Sequence, residues 1–200
     1  MLEIDTPSGP ARAHLDVVRT PRAALVLGHG AGGGVTTPDL VAAMRAALAE
    51  GISVGLVEQP YRVAGRRSPA PPKQLDAAWT AVVTELRAGE LAGTPLLVGG
   101  RSSGARVACR TAAATGAVGV LCLAFPLRPP GRKTPAPSRL PELDAVTVPL
   151  LVVQGERDPF GLPPLGKLRD VVLVPGDHSL RSARPVEDAV RAWLARVLWL

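Results

Sequence analysis

The stretch PLLVGGRSSGARVACRTAAAT, residues 95–115, decides the fold. Pro95–Gly99 reads as a short apolar strand. It runs directly into Gly100-Arg101-Ser102-Ser103-Gly104, and a helix is expected from about residue 104 to 115. A G-x-S-x-G placed between strand and helix suits a sharp turn that lifts a serine Oγ above a sheet. Backbones crowd at such a turn, so the positions two before and two after the serine must be small. Gly100 and Gly104 meet that demand around Ser102. Arg101 and Ala105 do not meet it around Ser103. Ser102 is therefore the nucleophile candidate, with a positive φ expected for its strained backbone. The following helix adds a positive N-terminal dipole that favours developing negative charge. The rival readings are a plain glycine-rich turn and a weak phosphate loop, although no G-K-[ST] follows.

Outward from this turn the chain alternates strand-like and helix-like runs. Strands are expected at Ala23–Leu27, Ile52–Val57, Val118–Phe125, Leu150–Gln154 and Val171–Val174, with a further early strand at 12–19. Helices are expected at 38–50, with Pro38 in the first turn and Gly51 just past the end, and at 73–92 and 185–198, where apolar residues fall at helical spacing. This alternation implies an α/β fold with a mostly parallel sheet covered by helices on both faces. The Pro-rich stretches 68–72 and 129–141 are short enough to be loops. Residues 1–200 are read as one domain with no large lid.

Two further segments carry chemistry. Gly28-His29-Gly30-Ala31-Gly32-Gly33-Gly34 follows the first clear strand and can expose backbone N–H groups. By position, the N–H groups of Ala31 and Ser103 are the candidate oxyanion donors. A dinucleotide loop is the rival, since Gly28, Gly30 and Gly33 fit G-x-G-x-x-G, but only Glu58 follows the next strand at the ribose position. Later, Asp158 follows the strand Leu150–Gln154, and His178 follows the last strand. The order Ser, Asp, His, with each residue just past a strand end, suits a triad in which imidazole takes the Ser102 proton and a carboxylate orients it. Glu156 and Asp177 are competing acids. His14 is read as structural, and His29 as bracing the glycine loop.

Composition narrows the classes. The 200 residues are 46% hydrophobic and 3% aromatic, so the core must be built largely from Val, Leu and Ala. The net charge of +6 points toward an anionic partner, but Arg-rich, Ala-rich usage also suits a GC-rich genome. No zinc-knuckle spacing, RNP-like motif or long Lys/Arg run supports nucleic-acid binding. Cys109 and Cys122 sit in apolar segments and are read as reduced core residues. No leader-like or membrane-spanning run is seen, so a cytoplasmic location without membrane association is the expectation.

The motifs HGAGGG (29–34), GGRSSGAR (99–106), FPLRPPGR (125–132), VVQGERDPFG (152–161) and GDHS (176–179) resemble those of dienelactone-hydrolase-like α/β-hydrolases. More narrowly, they resemble the family of testis-expressed protein 30 and a related subunit of a histone-acetylating complex. The resemblance implies an α/β-hydrolase fold, with Ser102, Asp158 and His178 at the triad positions. Ser103 stands where such families often have Met, and Arg128 where a His is expected.

The leading expectation is a serine hydrolase of a small ester, thioester or lactone, needing neither metal nor organic cofactor. The other is a binding or scaffold module that keeps the fold without turnover. Loops 59–73 and 126–140 leave strand ends and carry Arg62, Arg66, Arg128 and Arg132 with no acid. Both loops should rim the edge where Ser102 sits and favour anionic substrates. Acyl group, leaving group and oligomeric state are not legible.

Overall fold

In the computed structural model, residues 1–131 and 136–198 are described. The chain runs β1 (Leu2–Ile4), β2 (Ala11–Asp16), β3 (Ala23–Gly28), α1 (Pro38–Ala49), β4 (Ile52–Glu58), α2 (Pro60–Val63), α3 (Pro72–Ala88) and β5 (Leu96–Arg101). It continues through α4 (Ser103–Thr115), β6 (Gly119–Leu123), α5 (Leu140–Asp144), β7 (Leu150–Gly155), β8 (Arg169–Val174) and α6 (Ala183–Val197). The eight strands form one sheet in the order β1-β2-β4-β3-β5-β6-β7-β8. β1 and β2 pair antiparallel at one edge, and every pairing from β4 to β8 is parallel.

The period of two in a strand sorts the core into two layers. Ala24, Val26, Leu96, Val98, Val120, Cys122, Leu150 and Val152 face α3 and α4, where Trp79, Val82, Ala105 and Ala108 meet them. Leu25, Leu27, Leu97, Leu121, Leu151 and Val153 face α1 and α6, against Leu40, Ala43, Val186 and Trp193. Strands buried on both faces read as unbroken apolar runs, which is why they were visible in the sequence.

Strand order fixes where the site lies. β3 pairs with both β4 and β5. After β3 the chain turns toward the α1 layer, and after β5 it turns toward the α4 layer. The two loops therefore diverge above the sheet at the topological switch point, where open α/β sheets bind their ligands. The glycine loop and Ser102 occupy these two loops. Between β6 and β7, the connection holds just the five-residue α5 among its described residues.

Several boundaries differ from expectation. β1 was not foreseen, because three residues carry no usable periodicity. The strand expected at 12–19 spans 11–16 and runs antiparallel. α2 lies inside a segment read as a loop and α5 starts at the end of another, each opened by a proline in its first turn. The strand expected to reach Phe125 ends at Leu123, because Ala124 turns at φ 50. Helix 73–92 stops at Ala88, with Gly89 at its C-terminus. Cys109 and Cys122 are free and buried, with their sulfurs 3.4 Å apart.

The packing of α4 against β3 leaves room for hydrogen alone. A Cβ on Gly104 would lie 2.6 Å from the carbonyl carbon of Gly28 and 2.8 Å from the His29 oxygen. One on Gly100 would meet the Gly28 oxygen at 2.5 Å. Relief requires backbone movement, and overpacking of this kind costs about 1–3 kcal/mol. Gly104→Ala should therefore lower Tm, at roughly 2–4 °C per kcal/mol for a chain this size. Differential scanning calorimetry checks this, and an unchanged Tm would contradict the packing account.

Candidate active site

Ser102 sits at the junction of β5 and α4 with φ 51 and ψ −106. This positive φ strains a residue bearing a Cβ. Its N–H donates to the Leu123 carbonyl at 2.9 Å, and its carbonyl accepts from Arg106 at 3.3 Å. The chain thus reverses direction within one residue. α4 begins at Ser103, so the Ser103 N–H is one of the donors a helix leaves unbonded in its first turn.

The structure brings Ser102, His178 and Asp158 together from three strand ends. His178 Nε2 lies 2.9 Å from Ser102 Oγ, and His178 Nδ1 lies 2.8 Å from Asp158 Oδ2. A carboxylate accepts, so Nδ1–H donates to Asp158 and Nε2 is left to accept from the serine hydroxyl. The Asp158 side chain is fully buried. Its Oδ1 accepts the Phe160 N–H at 2.8 Å, and its Oδ2 also accepts from Gln154 Nε2 at 2.8 Å. The same Gln154 nitrogen reaches the carbonyls of Phe125 and Gly161, both at 3.0 Å. A buried charge held by this many donors is oriented as well as compensated. The Phe160 ring lies against the imidazole, with centroids 4.2 Å apart.

The competing acids are elsewhere. Asp177 is exposed and accepts the Ser179 N–H at 2.8 Å, a bond that holds its carboxyl below the usual range. Glu156 is exposed. Gly155 permits the approach of the histidine loop, since a Cβ there would come within 2.8 Å of the Asp177 carbonyl carbon.

The glycine loop lies over the serine, for a Cβ on Gly30 would be 3.6 Å from the Ser102 Cβ. His29 is buried within this loop. Its Nδ1 lies 2.8 Å from the Gly30 oxygen, and its Nε2 accepts the Gln59 N–H at 3.1 Å. That pattern requires Nδ1–H and a neutral ring, in keeping with burial, which pushes the His29 pKa down. Because a peptide is planar and trans, a Gly30 carbonyl turned to His29 points the Ala31 N–H the opposite way. Tyr61 fixes the next peptide by donating to the Ala31 carbonyl at 3.0 Å. His14 pairs with Glu58 at 3.0 Å on the antiparallel edge of the sheet.

Arg62 lies on α2, close enough for its charge to act on His29. The Arg66 N–H donates to the Tyr61 carbonyl, and the Arg128 N–H to the Phe160 carbonyl, both at 2.8 Å. Both loops therefore touch residues that contact the site. Among the described residues, none of these three arginines makes an ion pair. Arg132 lies outside the described residues. Sequence reading missed Gln154, Tyr61 and Phe160. Of these, only Gln154 carried a signal, as a polar side chain closing an otherwise apolar strand. Among the described residues no cluster of His, Cys, Asp or Glu suits a metal ion, and no helix is long and apolar enough to cross a membrane.

Residues 21–195 match the family described as alpha/beta hydrolase domain. No curated protein matches the chain. Among solved structures, the fold is similar to an α/β serine hydrolase without a lid from Xanthomonas campestris. That pair is 22% identical with TM-score 0.78, covering 100% of this chain and 94% of the other. It is also similar to Est1E from Butyrivibrio proteoclasticus, solved with ferulic acid bound, at 16% identity and TM-score 0.80 over 100% of both chains. A dienelactone hydrolase from Anabaena variabilis is 15% identical with TM-score 0.77, covering 98% of this chain and 95% of the other.

The strain at Ser102 is measurable. Ser102→Gly removes the Cβ that makes φ 51 costly, whereas Ser102→Ala keeps it. The glycine variant should be more stable than the alanine variant by about 1 kcal/mol in urea unfolding. The reverse order would show that the turn carries no strain.

Proposed function

The chain belongs to the alpha/beta hydrolase domain family, and on that premise we propose that it is a serine hydrolase acting on a small ester, thioester or lactone. The observation that carries the reading is the unbroken chain from Ser102 Oγ through His178 to the buried Asp158 carboxylate. Ser102 attacks the acyl carbon as His178 Nε2 takes its proton. The imidazolium that forms is stabilised by Asp158, which holds it in the required orientation. The Ala31 and Ser103 N–H groups receive the negative charge on the carbonyl oxygen. His178 then protonates the leaving group. A water, deprotonated in turn by His178, releases the acid and restores Ser102. The protein's own groups supply every proton transfer, so this scheme calls on no cofactor.

Labelling by a fluorophosphonate probe tests the reading. Wild-type protein should label at Ser102, and Ser102→Ala should abolish labelling. Asp158→Asn should slow it by about three to four orders of magnitude, because the imidazole then loses its orienting acceptor. Ser103→Ala should change the rate by less than about tenfold, since the donor there is backbone. A wild-type protein that does not label would favour a binding module.

The arginines extend the proposal to substrate charge. Arg62, Arg66 and Arg128 are cationic, free of carboxylate partners among the described residues, and carried by loops that touch Tyr61 and Phe160. A rim of one sign raises the local concentration of anionic substrate. kcat/KM for a carboxylate-bearing ester should exceed that for its neutral analogue at low salt. The ratio should approach one near 1 M salt, where the Debye length is about 3 Å. Equal values at all salt concentrations would remove this part of the proposal.

A further inference from the structure

Arg101 occupies the variable position of G-x-S-x-G, and its side chain points away from solvent, at 17% exposure. Each of its three guanidinium nitrogens meets a different segment. Nη2 donates to the His178 carbonyl at 3.0 Å. Nε lies 3.0 Å from Oδ2 of Asp39, whose side chain is fully buried in the first turn of α1. Nη1 lies against the glycine loop, since a Cβ on Gly30 would stand 2.7 Å from it. One planar cation therefore touches the histidine loop, the glycine loop and the start of α1 from a base beside Ser102.

The geometry of a guanidinium makes these contacts interdependent. Its nitrogens are fixed in one plane, so the group that lies in ion-pair contact with Asp39 cannot turn without moving Nη2 off the His178 carbonyl. Asp39 is itself fixed, accepting the Leu40 N–H on Oδ1 at 3.0 Å. Burial pushes its carboxyl up, while the Thr37 side chain and the Arg101 charge pull it back. The histidine loop needs such a hold. It turns at Leu180 with φ 44, and among the described residues Arg101 is the one donor to the His178 carbonyl. A buried ion pair contributes little net stability, because desolvation offsets attraction. Fold stability alone is thus a poor reason for placing this one under the reacting serine.

We propose that Arg101 is a positioning residue. Held by its ion pair with Asp39, it sets the height of His178 over Ser102 and holds the glycine loop in the same grip. The proposal rests on the hydrolase reading for its catalytic meaning, but its geometry can be tested without turnover.

The test uses the full chain with R101K, R101M, R101A and the double variant D39N/R101M. The double variant avoids a buried carboxylate without a counter-charge if R101M does not fold. Circular dichroism and Tm establish which variants are folded. The first readout is the downfield proton resonance of the His178 Nδ1–H shared with Asp158, which reports the histidine's seat independently of activity. The second is the rate of fluorophosphonate labelling. Folded R101K and R101M should lose or broaden the resonance and label about 100-fold more slowly, the effect of a displacement near 1 Å. Lysine should not rescue, because a point charge cannot span Asp39 and the His178 carbonyl. Millimolar guanidinium should raise the labelling rate of R101A and leave R101K unchanged. A folded R101M, or folded double variant, that keeps the resonance and the wild-type rate would overturn the proposal. If wild-type protein shows the resonance but does not label, the hydrolase reading fails, and comparison of the resonances still decides the role of Arg101.

Discussion

At Gly28, Gly100 and Gly104 the backbones approach so closely that a Cβ on Gly100 or Gly104 would stand 2.5 Å or less from the Gly28 oxygen. The rest of the site depends on that contact. It lets α4 begin directly beneath the end of β3, and a chain that must leave β5 and enter a helix there has one residue in which to turn. That residue is Ser102, forced to φ 51. A side chain projecting from so sharp a turn stands clear of the sheet. Distant interactions hold α4 against the strain. Arg110 pairs with Asp76 on α3 at 2.6 Å, and Arg106 pairs with Glu142 on α5 at 2.5 Å. Cys109 packs beside Cys122 of β6, where burial pushes the thiol of Cys122 well above its ordinary range.

The second requirement is a buried negative charge that does not wander. Asp158 would be costly in the interior without partners. Gln154, the Phe160 N–H and His178 supply them, and each comes from or after β7 and β8. The Gln154 nitrogen also reaches the carbonyls of Phe125 and Gly161. The acid's surroundings are thus ordered by one side chain at a strand end. The imidazole gains direction from Asp158 on one nitrogen and meets the serine with the other, while the Phe160 ring covers part of its face.

Much of this was legible in the chain because it depends on local rules. Doubly buried strands leave continuous Val/Leu runs, and a tight turn leaves paired glycines at fixed offsets. Ser102, Asp158 and His178 could be singled out because each stands just past a strand end in a recognisable order. What was not legible was the company they keep. Gln154 reads as the polar end of a strand, and nothing local says that it faces Asp158. Tyr61 joins the site only through folding, from 30 residues beyond Ala31, and the Phe160 ring meets the imidazole only once β8 is in place. β1 is too short for a periodic pattern, and α2 and α5 are single turns whose prolines read equally well as loop residues. Asp158 could be preferred to Asp177 on sequence grounds only by supposing that a histidine's neighbour diverges from it. The exposed Asp177, bonded to the Ser179 N–H, accounts for that divergence.

The pairing of α1 with α6 has a consequence for how the chain is made. These helices pack together across the same face of the sheet, and Arg191 reaches Glu50 from 141 residues away. As the chain emerges during synthesis, α1 has no partner helix until residues 183–197 follow. The face that α1 turns to α6 then depends on late sequence for its cover. Parallel strands that pair across long separations close slowly, because loop entropy must be lost before contacts form. A shortened or stalled chain lacking α6 would leave an apolar helix face and one side of the central strands open to other chains. Such exposure invites aggregation and recruits chaperones.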